Sequence, residues 1–461
     1  MEQTLTDRRE PMSREIRLTE GPILPLLVRL ALPLLFANVL QQLYNIINSL
    51  VVARYLGEHT FAALGVAESV MNLYIYVITG ACMGASVLIA RFFGEGDLSK
   101  LRQQLYVSAV LMGGVTLAAM VLGQLFLPQL LAVIQTPAEL MGDAALYLRV
   151  ILGGMVFTFT YNYLASTLRA VGDTQAALYF LLLSLGYNLA AAWLLVAVLE
   201  LGILGAALAT ASAQLLSSGL CFLYIRKKRP FLSVGRGDMR MDRRLLRLTG
   251  SFAAVAALQQ SSLYLGKLMI QSAVNGISLT GSAPISAFAA ANRVENFTQA
   301  FGVTGSETIA IFAAQNQGAG QDRRALRGFA LGAALTVGIG IFFTAGMGIF
   351  SRQIAGVFLE EGEGAALCAS YLRLFSCFFL LSYFGNSFAG WFRGSGRMNI
   401  TFWGTSIQIA IRVAGTYLLV DAMGLNSVAL STGLGWAVLI VFQVLVFLLE
   451  RRGIWPKEQA I

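Results

Sequence analysis

The sequence predicts an all-α polytopic membrane protein, with twelve transmembrane helices arranged in two six-helix lobes. Two observations carry the prediction: the composition and the length of the apolar runs. Of the 461 residues, 57% are hydrophobic and only 12% are charged, whereas a soluble domain carries about 25% charged residues. The mean hydropathy is +0.69. Helices are favoured over strands because lipid offers backbone amides no partners, and the alternating pattern of a membrane barrel does not occur.

Twelve runs approach the roughly 20 apolar residues that a membrane helix needs, and six lie in each half of the chain. They are predicted near residues 23–50, 60–88, 103–126, 143–165, 175–197, 203–225, 249–273, 285–312, 327–349, 366–389, 400–420 and 427–449. Because six is even, both halves enter the membrane in the same direction. The two lobes should therefore be related by a pseudo-two-fold axis along the membrane normal.

The two halves repeat each other at an offset of 224 residues. The segment ARFFGEG at 90–96 is echoed by AQNQGAG at 314–320, and LRAVG at 168–172 is echoed by FRGSG at 392–396. The glycines of these turns are expected to end helices with left-handed backbone angles. Neither turn has the GK[ST] ending of a phosphate-binding loop, so the sequence gives ATP-driven pumping no support. Duplicated halves in so apolar a chain are typical of secondary transporters.

The repeat divides the chain into five parts. The predicted boundaries are 1–22 for an N-terminal segment, 23–225 for the N-terminal lobe, 226–248 for a basic linker, 249–450 for the C-terminal lobe and 451–461 for a tail. Basic residues, which give a net charge of +9, precede the first span, fill the linker and follow the last span. The positive-inside rule makes this side cytoplasmic, with both termini there. The charge therefore predicts contact with membrane lipid and not with nucleic acid.

Polar side chains recur at helical spacing in the first two spans of each half. They are Asn38, Gln41, Asn45 and Asn48 in span 1, Glu68, Asn72 and Tyr76 in span 2, Gln260, Tyr264, Lys267 and Gln271 in span 7, and Asn292, Glu295, Asn296, Gln299 and Glu307 in span 8. Polar groups in a span are costly, so these rows are expected to line one central, water-filled cavity. For the amides, hydrogen bonding between packed helices is an equally good reading.

The ionisable members of these rows are the candidates for ion coupling or substrate binding: Glu68, Lys267, Glu295 and Glu307. Burying such a charge costs at least roughly 2.5–3.5 kcal/mol unless water or a partner relieves it. Arg412 in span 11 is expected to be the structural partner of a carboxylate in the C-terminal half. Arg169, at the end of span 4, is expected to anchor in the lipid headgroup region.

Catalytic and metal-binding patterns are missing from the sequence. The four cysteines have no disulfide or metal spacing, and the lone His59 falls in a short outer connection. With no cluster of His, Cys and carboxylate, the chain is not expected to be an enzyme or to bind a metal.

Several motifs in order along the chain resemble the multidrug and toxic compound extrusion (MATE) family, in its bacterial branch. They are Leu43-Tyr44-Asn45, Ala62-Ala63-Leu64-Gly65, the turn RFFGEGD at 91–97, LRAVGDT at 168–174, GAALAT at 205–210, AANRVE at 290–295 and QNQGAG at 315–320. The resemblance implies a monomeric exporter in the bacterial plasma membrane. It would expel cationic, lipophilic small molecules by alternating access, coupled to Na⁺ or H⁺, with no other cofactor.

The chain departs from the family where the resemblance places two carboxylates. Relatives tend to have Asp where this chain has Asn48, and again where it has Ala192 a few residues after Asn188. Coupling is then expected to move to Glu68, or to the C-terminal lobe, where Glu295 matches a recurrent acid of the family. Two alternatives stay open: an exporter of a specific metabolite held through Lys267, and a flippase for a lipid-linked precursor.

Overall fold

The structure, a computed structural model, describes residues 17–277 and 283–453, except the side chains of residues 44–54, 56–58 and 61. These residues contain fourteen α-helices and no strand. They are α1 (Ile23–Glu95), α2 (Leu98–Leu125), α3 (Leu127–Val133), α4 (Ala138–Gly153), α5 (Met155–Ala170), α6 (Thr174–Ala192), α7 (Gly202–Lys228), α8 (Arg243–Ile277), α9 (Ala283–Gly318), α10 (Asp322–Ile349), α11 (Ser351–Phe358), α12 (Glu363–Gly394), α13 (Met398–Met423) and α14 (Asn426–Arg451). A π-helical segment, Trp193–Val198, continues α6.

Helix α1 contains two spans and folds back on itself. A straight helix of its 73 residues would be about 110 Å long at 1.5 Å per residue. Yet Leu27, near its start, shares a buried cluster with Phe312 of α9, and Gly94, near its end, lies against Gln315 of the same helix. Both ends of α1 therefore meet one end of α9, so the chain reverses within α1. The outgoing arm is the apolar segment Ile23–Leu43, and the returning arm is Ala62–Glu95.

Ten of the twelve predicted spans are recognisable from apolar length within the described ranges. Nine segments qualify singly, and α4 and α5 qualify together as one span bent by 49°. The bend falls at the Gly153-Gly154 pair, a sequence that commonly kinks a helix. The other two spans are α8 and α9, whose 35 and 36 residues carry the polar rows of the C-terminal half. The predicted twelve-helix arrangement is therefore confirmed.

The four turn glycines of the repeated motifs share one backbone conformation. Their φ angles are +74° at Gly96, +87° at Gly172, +72° at Gly320 and +79° at Gly396, and each glycine lies just past the end of a long helix. This is the left-handed conformation that was predicted for them. The end of the helical bundle that carries these four turns is called the motif face below.

The helix starts that follow the two turns of the N-terminal half are capped by aspartate side chains. Asp97 accepts a hydrogen bond from the amide of Lys100 at 3.0 Å, which holds the pKa of that carboxyl below its ordinary value. Asp173 caps α6 in the same way and also pairs with Arg229 at 2.8 Å. In the second half the equivalent position is Arg397, which pairs with Glu450. Both turns thus have an ion pair at this position, with an acid in the first half and a base in the second, although Glu450 is not the repeat equivalent of Arg229.

Both ends of the described chain lie at the motif face. Asn316, in the third turn motif, donates to the carbonyl of Leu18 at 3.2 Å, and Glu450 near the end of α14 pairs with Arg397 beside the fourth turn. An even number of spans in each half requires this arrangement.

The lobes pack through the first two spans of each half. The outgoing arm of α1 contacts α9, and the returning arm contacts α8. A Cβ atom at Gly80 or Gly84 would lie 2.7 or 2.4 Å from the backbone of α8, so the absence of a side chain permits this close approach. These contacts place the first two spans of each half at the meeting surface of the lobes.

Candidate functional site

A cavity of about 530 Å³ lies inside the N-terminal lobe. Both arms of α1 line it, together with α4, α5, α6 and α7. The predicted row of α1 supplies its polar wall: Asn38, Gln41, Glu68, Asn72 and Tyr76. The volume falls within the range of small-molecule sites, which are mostly apolar with a few polar groups. We call this space the N-lobe cavity.

Other polar residues of the cavity wall were not singled out as lining residues from the sequence. They are Thr158 and Asn162 of α5, Asn188 of α6, and Thr210 and Gln214 of α7. Asn188 donates to Thr210 at 3.3 Å, which joins α6 to α7 beside the cavity. The only sequence signal for these residues was a single polar side chain within an apolar span. They were missed because they do not form a row at helical spacing.

The location of this cavity differs from the prediction of one central cavity between the lobes. Every residue that lines it belongs to the N-terminal half of the chain. Helical spacing in the sequence shows which residues lie on the same face of a helix. It does not show which neighbouring helix that face contacts, so the location of the cavity could not be predicted.

Among the side chains that the structure describes, Glu68 is the one carboxylate, and Arg169 the one Lys or Arg, on the wall of the N-lobe cavity. The Nε atom of Arg169 lies 2.9 Å from Oε1 of Glu307 of α9, an ion pair in which an acid of the other lobe balances the charge of Arg169. The expectation that Arg169 anchors among lipid headgroups is therefore wrong. No Lys or Arg in the described ranges lies within ion-pair distance of Glu68, which is half-buried. Within the described side chains, the cavity therefore has one acid that no Lys or Arg neutralises.

Two cavity residues also join the lobes. Asn38 donates to Thr304 of α9 at 2.9 Å, and Tyr76 stacks on Tyr264 of α8 with ring centroids 5.0 Å apart. Tyr264 in turn donates to the carbonyl of Ser69 at 3.0 Å. The two readings of these polar side chains, cavity lining and helix packing, both apply at Asn38 and Tyr76.

The polar row of the C-terminal half does not line the N-lobe cavity. Lys267 is exposed and donates to Asn296 at 3.2 Å, and Gln271 donates to Asn275 one turn away at 3.0 Å. Gln299 accepts from Asn386 at 3.4 Å, whereas Gln260 and Asn292 are half-buried. The predictions for Asn45 and Asn48 concern side chains outside the described residues.

Glu295 lies in a buried cluster of the C-terminal lobe. Its Oε2 atom is 3.8 Å from the guanidinium of Arg412, and the two side chains are only 9% and 12% exposed. The carboxylate partner that was expected for Arg412 is therefore Glu295. Glu295 Oε2, Arg412 Nε and the hydroxyl of the fully buried Tyr371 are each without a hydrogen-bond partner among the described residues. The cluster is therefore a buried ion pair in which several polar atoms lack a hydrogen bond to the described residues.

The MatE family model matches the chain twice, over residues 33–194 and 256–418. The two matches cover well over half of the chain, and their ends are separated by the 224 residues at which the turn motifs repeat, their starts by one residue fewer. The chain belongs to the MatE family. It is therefore a membrane transporter with the twelve-helix, two-lobe fold, and not an enzyme. The resemblance inferred from the motifs is confirmed.

Relatives of this MatE protein include two from Bacillus subtilis. It is 27% identical over 445 residues to the probable multidrug resistance protein YoeA, covering 93% of each chain. It is 27% identical over 311 residues to the probable multidrug resistance protein YpnP, covering 66% of this chain and 68% of that one. A solved multidrug resistance MATE family transporter in an outward-facing conformation matches with a TM-score of 0.87 at 21% identity. That match covers 97% of this chain and 99% of the other.

Proposed function

We propose that this MatE protein is a secondary active exporter that exchanges cationic or lipophilic compounds for Na⁺ or H⁺ through the N-lobe cavity. The carrying observation is Glu68, which has no Lys or Arg partner among the described side chains, in a cavity of about 530 Å³ lined by aromatic, aliphatic and amide side chains. Such a wall suits a lipophilic cation, because apolar surface contacts its body and one carboxylate attracts its charge. The relatives named as multidrug resistance proteins support the same substrate class.

Glu68 is the residue that couples transport to the ion gradient in this proposal. A carboxylate can hold either the organic cation or the coupling ion, and competition between the two drives their exchange. The amide at Asn48 cannot take up a proton, and the methyl group of Ala192 offers no ligand at all. Glu68 therefore takes over within the same lobe the charge that the family motif places at those positions.

The motif face is cytoplasmic in this proposal. Both ends of the described chain lie there, and the basic linker between α7 and α8 leaves from the same side, as the positive-inside rule requires. The lobes meet tightly at this face, where Gly94 abuts Gln315 and Gly318 abuts Arg91. The conformer is then closed toward the cytoplasm. A monomer is the proposed transporting unit, because the described residues that line the N-lobe cavity all come from one chain.

Efflux of ethidium from proteoliposomes, under an imposed Na⁺ or H⁺ gradient, tests the proposal. Glu68→Gln should reduce gradient-driven efflux about ten- to hundredfold, because an interaction with a charged group contributes about 1.5–3 kcal/mol. Glu139→Gln removes an exposed carboxylate at the start of α4, away from the cavity, and is the matched control. Gradient-driven efflux that survives in Glu68→Gln would contradict the coupling role.

An anionic metabolite is the second candidate substrate, and Lys267 is the observation that favours it. This exposed ammonium is held by the neutral amide of Asn296 and so keeps its charge available. Absence of cation efflux in wild type, with transport of an organic anion that Lys267→Gln abolishes, would replace the first proposal by this one. A lipid diphosphate fits the N-lobe cavity poorly, because Glu68 repels it while Glu307 already occupies Arg169.

A further inference from the structure

Close contacts between the lobes at the motif face obey the 224-residue repeat. A Cβ atom on Gly94 would lie 2.0 Å from the carbonyl oxygen of Gln315, and one on Gly318 would lie 2.1 Å from that of Arg91. The offset converts each contact into the other. The pseudo-two-fold axis therefore passes between these two contacts, and the motif face is held shut by backbone approach on both sides of it.

A second pair of contacts obeys the same symmetry but differs in chemistry. Arg169 of the N-terminal lobe pairs with Glu307 of the other lobe at 2.9 Å. Its repeat partner, Arg393, crosses in the opposite direction to the sulfur of Met83. Met83 stands where the repeat places the equivalent of Glu307. One ion pair thus crosses the interface where the symmetry offers places for two.

Glu307 stands between arginines of both lobes. Arg393 donates to the hydroxyl of Ser306, the residue beside Glu307, and its positive charge acts on the Glu307 carboxylate. Arg169 reaches Glu307 from the wall of the N-lobe cavity. Any separation of the lobes at this face must break the Arg169–Glu307 pair, because its partners belong to different lobes. The Arg393–Ser306 contact lies within one lobe and can persist.

We propose that Arg169 and Glu307 form a latch that sets how often the motif face opens, with Arg169 linking that latch to the N-lobe cavity. The inference rests on the proposed alternating-access transport, which requires this face to open once in each cycle. It assigns Glu307 a positioning role between the lobes and leaves the contact with substrate or coupling ion to Glu68. Because residue 83 is methionine and not an acid, one ion pair stabilises the closed state at these two equivalent positions instead of two.

Pulsed electron paramagnetic resonance can measure the latch without any transport. Spin labels at Lys100→Cys and Arg323→Cys, in a background with the four native cysteines replaced by alanine, report the lobe separation from exposed sites at the motif face. Glu307→Gln should raise the long-distance population relative to the short one about three- to fivefold, the range of a partly exposed ion pair. Met83→Glu, which supplies the second acid, should shift the populations the other way.

Two further variants separate a latch from a general loss of structure. Glu450→Gln weakens the Arg397 ion pair at the same face but inside one lobe, and it should leave the distances unchanged. Arg169→Gln removes the partner in the other lobe and should raise the long-distance population as Glu307→Gln does. Unchanged populations in Glu307→Gln, or an equal shift in Glu450→Gln, would overturn the latch. Because the readout needs neither substrate nor gradient, its result is independent of the efflux assay.

Discussion

Alanine at Gly94 or at Gly318 is expected to reduce transport at least about tenfold by preventing closure of the motif face. The added Cβ would lie 2.0 or 2.1 Å from a backbone carbonyl oxygen of the opposite lobe, far inside any contact that real Cβ atoms make. Backbone atoms within a helix cannot turn aside as a flexible side chain can. The lobes must separate instead, which also strains the Arg169–Glu307 pair beside them.

Helix propensity alone would predict the opposite effect, a gain in stability, so the two expectations can be told apart by experiment. Gly94 and Gly318 lie in helices, where replacement of glycine by alanine stabilises by roughly 0.5–1 kcal/mol when space permits. Gly114→Ala and Gly186→Ala, at helical positions with open space around the new methyl group, are the matched controls. Efflux in the proteoliposome assay should fall only in the first two variants. Normal efflux in Gly94→Ala would show that this face does not close during transport.

Replacement of Arg412 by glutamine is expected to cost about 3–5 kcal/mol of stability, because it leaves Glu295 as an unpaired charge in the core. The two side chains are 12% and 9% exposed, so water screens them little. Glu295→Gln with Arg412→Gln should recover much of the loss, because no buried charge then remains. Thermal unfolding of the purified protein in detergent, monitored by circular dichroism, measures all three variants.

The double variant decides between a structural pair and a coupling site. A core ion pair predicts that the double variant is more stable than Arg412→Gln and transports at a similar rate to wild type. If the double variant is stable but cannot couple efflux to a gradient, then Glu295 carries the coupling ion and the role assigned to Glu68 is wrong.

The arrangement of spans could be predicted from the sequence because membrane thickness fixes helix length and the repeat fixes their order. The repeat was informative where hydropathy alone fails: α8 and α9 are too polar to pass a test of apolar length. Their place opposite the two arms of α1 nevertheless follows from the offset. The left-handed glycines followed in the same way, since a turn after a long helix requires that conformation.

The site could be predicted only in part. The row of Asn38, Gln41, Glu68, Asn72 and Tyr76 does line a cavity, because its period gave the correct face of each arm. The partners of Arg169 and Lys267 could not be read from the sequence, since they depend on how α5 and α8 contact α9. Glu295 illustrates the same limit: the sequence offered it as a cavity acid, whereas its contact with α13 makes it a buried ion pair.

The most direct test of cation binding at Glu68 is the affinity of the purified transporter for tetraphenylphosphonium, a lipophilic cation, measured by isothermal titration calorimetry. Glu68→Gln should weaken binding about ten- to hundredfold, because it removes the charge of the cavity acid. The double replacement Glu295→Gln with Arg412→Gln, which removes the buried pair, should bind as wild type does. Wild-type affinity in Glu68→Gln, together with loss of binding in the double variant, would rule out cation binding at Glu68 and place the substrate in the C-terminal lobe.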